Sequence, residues 1–315
     1  MPQPPLSFTG VWPILPTPFH DDESLDLASL ARVVRFMADC GMDGVTVLGV
    51  LGETNRVTDA EREQVIRTAV EAAAGRMGVV VGATHPGTHA TVQHCRTAEA
   101  LGADAVMISP SREPAPGDEK VAGYFRRVGE GTGLPIVLQD HPASSQVFMS
   151  VPLLLRIVAE VPRVACIKLE QPPTPPKITA LLRGMADAPA GGGKRSVTLL
   201  QGLGALYGQF DLERGAHGFM TGFAFPEALK AMVDAMAGGD AERARAVFRR
   251  FLPLIVYEQQ PGLAIRKEIY RLRGLIGSSR VRHPGGSIDA DTAAELHGML
   301  AQVLPGADLT RPIQP

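Results

Sequence analysis

The sequence lacks the features that mark secreted proteins and membrane proteins. Its 315 residues include only three cysteines, Cys40, Cys95 and Cys166, which lie far apart and form no CxxC pair. We interpret them as small buried apolar residues in a reducing compartment. No stretch of about 18 uncharged apolar residues occurs, so we expect no membrane span. The first residues carry no positively charged segment followed by an apolar one, so we expect no secretory signal and predict a cytoplasmic location.

The chain also lacks an excess of charge of either sign. It contains 31 basic and 33 acidic residues, mixed along its length, and its formal net charge is −2. Because proteins that bind nucleic acid or anionic membranes usually carry a basic patch, we expect neither of these partners. The apolar content of 45% is enough for a sizeable core. The length allows one large domain, such as an α/β barrel, or two small ones.

Short apolar runs alternate with amphipathic helical stretches along most of the chain. The eight predicted strands are Val11–Pro16, Val45–Leu48, Val79–Val81, Ala105–Ile108, Ile136–Leu138, Val164–Leu169, Val197–Leu200 and His217–Met220. A helix is predicted after each strand, and the second helix is predicted to open with a capping box from Thr58 to Glu61. Eight such units predict an α/β fold of the (β/α)8 TIM-barrel type. A doubly wound sheet is the alternative, although it usually has fewer strands and an early glycine-rich phosphate loop.

The chain after the eighth unit has a different pattern. Residues 239–315 lack strand signals, and the tail is expected to be wholly helical between residues 241 and 304. The predicted helices are Arg243–Val256, Leu263–Leu275 and Asp291–Leu304. We therefore predict a catalytic barrel over residues 1–238 and a C-terminal helical extension over 239–315. A loop is predicted at 188–194, before the seventh strand.

A lysine stands inside the apolar sixth strand. Burying the Lys168 ammonium is costly unless the group is paired or loses its proton. A desolvated lysine is more often neutral, and it then becomes a nucleophile toward carbonyl groups. Glu170 lies two residues on, so its carboxylate should face the same side of the strand. The pair is therefore either a catalytic constellation or a structural ion pair at a strand end.

The end of each barrel strand is where functional residues are expected. The lysine–glutamate pair ends the sixth strand, which favours the catalytic interpretation. His85 ends the third strand and Gly202 follows the seventh, so both are candidates for substrate contact. His85, His89 and His94 lack the carboxylate or cysteine partners that would complete a metal site, so no metal is predicted.

Motifs spread over nearly the whole chain resemble those of the dihydrodipicolinate synthase / N-acetylneuraminate lyase family. They are Thr17-Pro18-Phe19, the GxxGE loop Gly49–Glu53, Leu134-Pro135 and Ile167-Lys168, together with the helical C-terminal tail. The resemblance implies a (β/α)8 barrel, a class I Schiff-base mechanism and a small 2-oxo acid substrate. It places Lys168 at the Schiff-base position. It also implies a homo-oligomer, a tetramer or a dimer, and no cofactor.

Two tyrosines that relay protons in this family are absent. Gln139-Asp140 stands where the family has Tyr-Asn after the fifth strand, and Ser111 or Arg112 replaces the second tyrosine. Gln139 cannot relay a proton, because an amide has no titratable group near pH 7. We expect it to hold a water molecule or a substrate hydroxyl.

Two family contacts to substrate are also absent. The hydroxyls of the family's GTTGE loop are replaced by Val50 and Leu51, so the substrate carboxylate is expected to meet backbone N–H groups there. The arginine that binds the second substrate of the synthase is replaced by Ser144. Together with the missing tyrosines, these departures argue against dihydrodipicolinate synthesis.

The Lys-Leu-Glu sequence at 168–170, without the tyrosine, resembles the branch of 2-keto-3-deoxy-L-arabonate dehydratases. That resemblance implies that Glu170 transfers the protons while Lys168 forms the imine. A partly desolvated carboxyl group is expected to have a raised pKa. Asp140 is the competing acid–base group, and His141 is a weaker one.

Three other functions stay open at this point. The same imine permits aldol cleavage between C3 and C4, which would make the protein a pyruvate-dependent aldolase. A 4-hydroxy-tetrahydrodipicolinate synthase is a further reading within the family. A barrel that binds a 2-oxo acid without turning it over is the alternative of another class. Dehydration of a 2-keto-3-deoxy pentonate is favoured, because the tyrosine that would deprotonate a C4 hydroxyl is missing.

Overall fold

The computed structural model of the protein describes residues 6–114, 117–187 and 195–315. The described residues contain one parallel sheet of eight strands in the order β1-β8-β7-β6-β5-β4-β3-β2. The strands are β1 (Gly10–Val11), β2 (Gly44–Val47), β3 (Gly78–Gly82), β4 (Ala105–Ile108), β5 (Ile136–Asp140), β6 (Val164–Leu169), β7 (Thr198–Gln201) and β8 (Gly218–Phe219). The predicted loop at 188–194 lies outside the described residues.

The gap between β1 and β2 is closed by a single bridge. The amide of Thr46 donates to the Pro13 carbonyl at 2.8 Å, and the amide of Leu15 donates to the Thr46 carbonyl at 2.9 Å. The first strand was predicted to run through Pro16, but prolines at 13 and 16 offer no N–H, so the regular ladder stops at Val11. The closed ring confirms the predicted (β/α)8 barrel.

Helices surround the barrel and continue beyond it. They are α1 (Leu27–Asp39), α2 (Asp59–Ala73), α3 (Thr88–Ala100), α4 (Asp118–Gly131), α5 (Pro142–Ser145), α6 (Val151–Glu160), α7 (Thr174–Ala186), α8 (Gly208–Glu213), α9 (Pro226–Ala237), α10 (Ala241–Tyr257), α11 (Leu263–Leu272) and α12 (Ala290–Val303). The predicted capping box of α2 is present, with Thr58 and Glu61 bonded reciprocally. None of the helices in the described ranges combines the length and the apolar character that a membrane crossing requires.

Part of the tail departs from the helical prediction. Residues 273–289 are not helical, because α11 ends at Leu272 and glycines and Pro284 interrupt the segment. The segment is held against the barrel by Arg282, whose guanidinium donates to the Glu61 carboxylate at 2.7 and 2.9 Å. The tail is therefore helices joined by an anchored irregular segment. The boundary at residue 238 stays a prediction.

The barrel interior is filled by every second residue of the strands. Met107, Val137, Cys166, Leu200 and Met220 form one buried cluster there, and the alternate strand residues pack under the helices. Because Cys166 points inward, Lys168 and Glu170, which lie two and four residues further on, also face the barrel axis. The alternation of the strand thus places both polar side chains above the buried apolar cluster that fills the barrel interior.

Candidate active site

Lys168 and Glu170 meet at the carboxyl end of β6. The Lys168 Nζ atom lies 2.9 Å from Glu170 Oε2, and the side chains are only 4% and 8% exposed. A cavity of about 130 Å³ opens above them. A larger groove of about 600 Å³ beside α4 contains neither residue. The pair is thus the charged centre of a small enclosed space at the end of the barrel where active sites lie.

Glu170 is held by hydrogen bonds from two neighbouring strands. Gln139 Nε2, at the end of β5, donates to Glu170 Oε2 at 2.7 Å, and the backbone amide of Leu203, after β7, donates to Oε1 at 3.3 Å. Gln139 was expected to hold water or substrate, and the structure shows that its amide contacts the carboxylate directly. One orientation of the carboxylate is therefore fixed beside the lysine.

The charge state of Glu170 differs from the sequence-based expectation. Burial raises the pKa of this carboxyl, but the Lys168 ammonium, the His141 ring and the Gln139 hydrogen bond outweigh burial, so the pKa lies below its ordinary value. The prediction of a raised pKa was wrong, because it neglected the cation 2.9 Å away. With its pKa lowered, Glu170 is ionised near pH 7.

Gly202 makes room for this carboxylate. A Cβ atom at position 202 would lie 2.2 Å from Glu170 Cγ and 2.5 Å from its Oε1. The absence of a side chain at position 202 therefore leaves room for the Glu170 carboxylate. The sequence had suggested a direct contact between Gly202 and substrate.

We expect Gly202→Ala to lower kcat by about 10²-fold, since a shift of about 1 Å in a catalytic group can cost that much. Equilibrium imine formation with pyruvate should change little, because Lys168 is untouched. Steady-state kinetics and borohydride trapping measure the two effects. Gly298→Ala in α12, where an added methyl group meets nothing within 4 Å, is the matched control. A wild-type kcat in Gly202→Ala would contradict the assigned position of Glu170.

The GxxGE loop, which follows β2, contributes another wall of the cavity. Val50 and Leu51 line the cavity, and within the described residues their backbone N–H groups donate to no protein acceptor. The loop is fixed by Thr17, whose hydroxyl donates to the Gly52 carbonyl at 2.6 Å, and by Glu53, which pairs with Lys267 of α11 at 2.5 Å. Two unused amides in a rigid turn can bind a carboxylate without side-chain hydroxyls.

Two predicted site residues lie away from the lysine. Asp140 faces the helices, because it neighbours the inward Gln139 in the strand, and its Oδ2 accepts from Lys177 Nζ of α7 at 2.6 Å. His85 is exposed, and its Nδ1 accepts from the Gly87 amide at 2.9 Å. The expectation that Asp140 serves as an acid–base group near the substrate does not fit this geometry. Neither residue lines the cavity above Lys168.

His141 does line the cavity. Its Nδ1 lies 2.7 Å from the hydroxyl oxygen of Ser144, and burial lowers the pKa of its ring below the ordinary value. The ring is therefore neutral near pH 7, so it can accept a proton. His141 therefore adds a titratable group to the site beside Lys168 and Glu170.

The C-terminal extension supplies two wall residues that the sequence did not indicate. Gln259, just after α10, and Arg266 of α11 both line the cavity. Local sequence patterns place them in a helical tail but do not say which end of the barrel that tail covers. Several of their neighbours in the sequence are polar as well, so no local signal distinguished these two residues. These neighbours are Glu258, Gln260, Lys267 and Glu268.

The fold and this site define a class of protein, the (β/α)8-barrel lyases that bind a carbonyl substrate through a Schiff base on a strand-end lysine. The model of the dihydrodipicolinate synthetase family matches residues 7–303, and the chain belongs to this family. Members of the family are Schiff-base lyases that act on small 2-oxo acids. The family and the enzyme class predicted from the sequence are thereby confirmed.

Individual relatives fall into two groups by name. The chain is 36% identical over 302 residues to an L-2-keto-3-deoxyarabonate dehydratase of Azospirillum brasilense, a match that covers 94% of each chain. It is 29% identical to a 4-hydroxy-tetrahydrodipicolinate synthase of Acidothermus cellulolyticus over 94% of this chain and 93% of that one. Among solved structures, dihydrodipicolinate synthase from Rhodopseudomonas palustris aligns with a TM-score of 0.88 and 37% identity, over 93% of this chain and 97% of its own.

Proposed function

We propose that this lyase dehydrates a 2-keto-3-deoxy sugar acid of five carbons through an imine on Lys168. The observation that carries the proposal is the contact of 2.9 Å between the Lys168 amine and a carboxylate that Gln139 also holds. Glu170 there takes the acid–base role that a tyrosine after β5 has elsewhere in the family. The similarity to an L-2-keto-3-deoxyarabonate dehydratase supports the same reaction.

The first step joins C2 of the substrate to Lys168. Glu170 accepts a proton from the ammonium, and the free amine attacks the C2 carbonyl. Glu170 returns its proton to the hydroxyl of the resulting carbinolamine, which leaves as water, so that a protonated imine faces an ionised Glu170 again. The substrate carboxylate lies against the amides of Val50 and Leu51, which orients C2 toward the lysine and C3 toward Glu170.

The next steps use the change of charge on the lysine nitrogen. While the imine is cationic, it keeps Glu170 ionised, and the carboxylate removes a proton from C3 to give a neutral enamine. Without the cation, burial raises the pKa of Glu170, so the group now holds a proton that it can donate. The enamine electrons expel the C4 hydroxyl, which takes this proton and leaves as water. A second water hydrolyses the conjugated imine and releases Lys168, so the net reaction is loss of one water.

Pyruvate-dependent aldol cleavage is the second candidate, and His141 favours it. A neutral imidazole on the cavity wall could remove the C4 hydroxyl proton, after which the C3–C4 bond breaks and pyruvate is formed on Lys168. The two reactions differ in the bond that breaks, so their products differ.

We expect incubation with a 2-keto-3-deoxy pentonate to give a dehydrated 2-oxo acid and no pyruvate. Proton NMR of the mixture identifies the dehydrated product, and a lactate dehydrogenase assay measures any pyruvate. Pyruvate plus aspartate semialdehyde is the matched test for the synthase, and we expect no turnover, because Ser144 cannot form an arginine-type bidentate contact. Stoichiometric release of pyruvate would show that the reaction is aldol cleavage and not dehydration. Imine formation without turnover of pentonates or hexonates would indicate a binding protein without catalytic activity.

Three further expectations belong to this proposal. We propose a homo-oligomer, a tetramer or a dimer, a cytoplasmic location, and a division of the chain at residue 238 into barrel and extension. Sedimentation analysis of the purified protein would decide the oligomeric state.

A further inference from the structure

The cavity above Lys168 has a polar roof that the proposed mechanism does not use. Gln259 and Arg266 reach over the turn that follows β7, where Gly204 has a positive φ of 61° and no side chain. A Cβ atom at position 204 would lie 2.4 Å from Gln259 Nε2 and 2.9 Å from Arg266 Nη2. The two side chains therefore lie directly on this turn.

Arg266 is fixed by one edge of its guanidinium only. Its Nε donates to the Oε2 atom of Glu258 at 2.9 Å, and both carboxylate oxygens of the fully buried Glu258 also accept from the Ala224 amide. In the part of the chain that the structure describes, Nη1 and Nη2 of Arg266 donate to no protein acceptor. A buried ion pair that leaves two NH2 groups on a cavity wall offers donors without adding net charge.

Gln259 offers the complementary group. Its Nε2 donates to the Ile255 carbonyl at 2.8 Å, which leaves the side-chain oxygen as an acceptor. The roof therefore presents donors from Arg266 and an acceptor from Gln259. A hydroxyl group, which both donates and accepts, matches this pair. A substrate with a second carboxylate at this end would fit less well. That carboxylate would face the Gln259 oxygen, which is an acceptor, and the Arg266 cation, whose charge Glu258 already balances.

The direction of the substrate follows from Glu170. Its Oε2 atom lies beside Lys168 and Gln139, and its Oε1 atom accepts from the Leu203 amide after β7. A substrate with C3 beside Oε2 and C4 beside Oε1 therefore extends from the lysine toward the turn that follows β7. The next carbon of the chain then lies toward the turn at Gly204, under Gln259 and Arg266.

We propose that Gln259 and Arg266 bind the terminal C5 hydroxyl of the substrate and thereby select a five-carbon acid whose far end is an uncharged hydroxyl group. This inference rests on the proposed function, whose substrate it defines more closely. The two residues are specificity-determining, and they take no part in the proton transfers.

The test is competitive trapping at pH 8, where Glu258, whose pKa burial raises to about 7, is mostly ionised. The protein is reduced with borohydride in an equal mixture of 2-keto-3-deoxy pentonate and its 5-deoxy analogue, 4-hydroxy-2-oxopentanoate. Mass spectrometry of the Lys168 peptide gives the ratio of the two adducts. This ratio reports recognition of the C5 hydroxyl whether or not dehydration follows. A parallel NMR assay without borohydride measures dehydration, so failure of the proposed reaction is seen separately.

We expect the wild-type protein to favour the pentonate, and Gln259→Leu and Arg266→Lys each to lower the adduct ratio about 10-fold, as for loss of a hydrogen bond to a buried site. Arg266→Lys keeps a cation beside Glu258, which protects the fold. Gln260→Leu, at the exposed neighbouring position, should keep the wild-type ratio. Three results would overturn the inference: equal trapping of both compounds by the wild type, unchanged ratios in both variants, or preference for 4-hydroxy-2-oxoglutarate over the pentonate.

Discussion

Replacing Glu170 by glutamine is expected to leave the imine on Lys168 nearly intact at equilibrium and to slow turnover of a 2-keto-3-deoxy pentonate by about 10²–10⁴-fold. Glutamine has the same shape but cannot carry a proton between C3 and the C4 hydroxyl. The amine that attacks C2 is unchanged, so borohydride should still trap pyruvate on Lys168. Single-turnover kinetics measure the loss.

Glu170→Asp is the matched comparison. It keeps a titratable carboxyl but withdraws it by one methylene from the Lys168 amine and from Gln139. We expect activity between that of Glu170→Gln and that of the wild type. If Glu170→Gln turned over within a few-fold of the wild-type rate, Glu170 would be removed from the mechanism, and His141 would become the candidate base.

Lys168→Arg is expected to abolish imine formation and to lower kcat by on the order of 10⁴-fold or more, as for other covalent nucleophiles. Arginine keeps a positive charge beside the buried Glu170, so the fold should be retained, but its guanidinium does not lose a proton in proteins. Two other lysines that form ion pairs serve as internal controls. Lys177 pairs with Asp140 outside the barrel, and Lys267 pairs with Glu53 under the GxxGE loop.

Peptide mapping after reduction should place the adduct on Lys168 alone in the wild type and on no lysine in Lys168→Arg. Circular dichroism of the variant checks that the barrel is intact. Retained turnover in a folded Lys168→Arg protein would rule out the covalent mechanism. An adduct on Lys267 would move the reactive amine from the barrel to the extension.

The sequence predicted the parts of the fold and site that depend on local periodicity. Alternation within β6 placed Lys168 and Glu170 on one face, and both face the barrel axis in the structure. The capping box at Thr58 and the bounds of β4 and β6 were also correct. These features depend on residues close in the chain, so a short window of sequence contains the necessary information.

Two errors came from neglecting rules or neighbours that were already visible. Gln139 and Asp140 are consecutive strand residues, so only one of them can face the substrate, yet both were assigned to the site. The structure turns Asp140 outward to Lys177. The pKa of Glu170 was predicted from burial alone, whereas the adjacent Lys168 ammonium lowers it.

The roof of the cavity could not be predicted from local patterns. Gln259 and Arg266 are separated from Lys168 by about 90 residues of sequence, and their position depends on how the extension docks on the barrel. That docking uses contacts distant in sequence, such as Lys267 to Glu53 and Arg282 to Glu61. The periodic pattern of apolar residues within a short segment carries no information about contacts between residues so distant in sequence.

In the proposed mechanism, Lys168 carries the substrate as an imine while Glu170 removes water from it. Borohydride reduction during turnover of a 2-keto-3-deoxy pentonate, followed by mass spectrometry of the Lys168 peptide, tests both parts together. We expect adducts of the intact five-carbon acid and of the same acid less one water, both on Lys168. An unmodified Lys168, or a three-carbon pyruvyl adduct in their place, would contradict the mechanism.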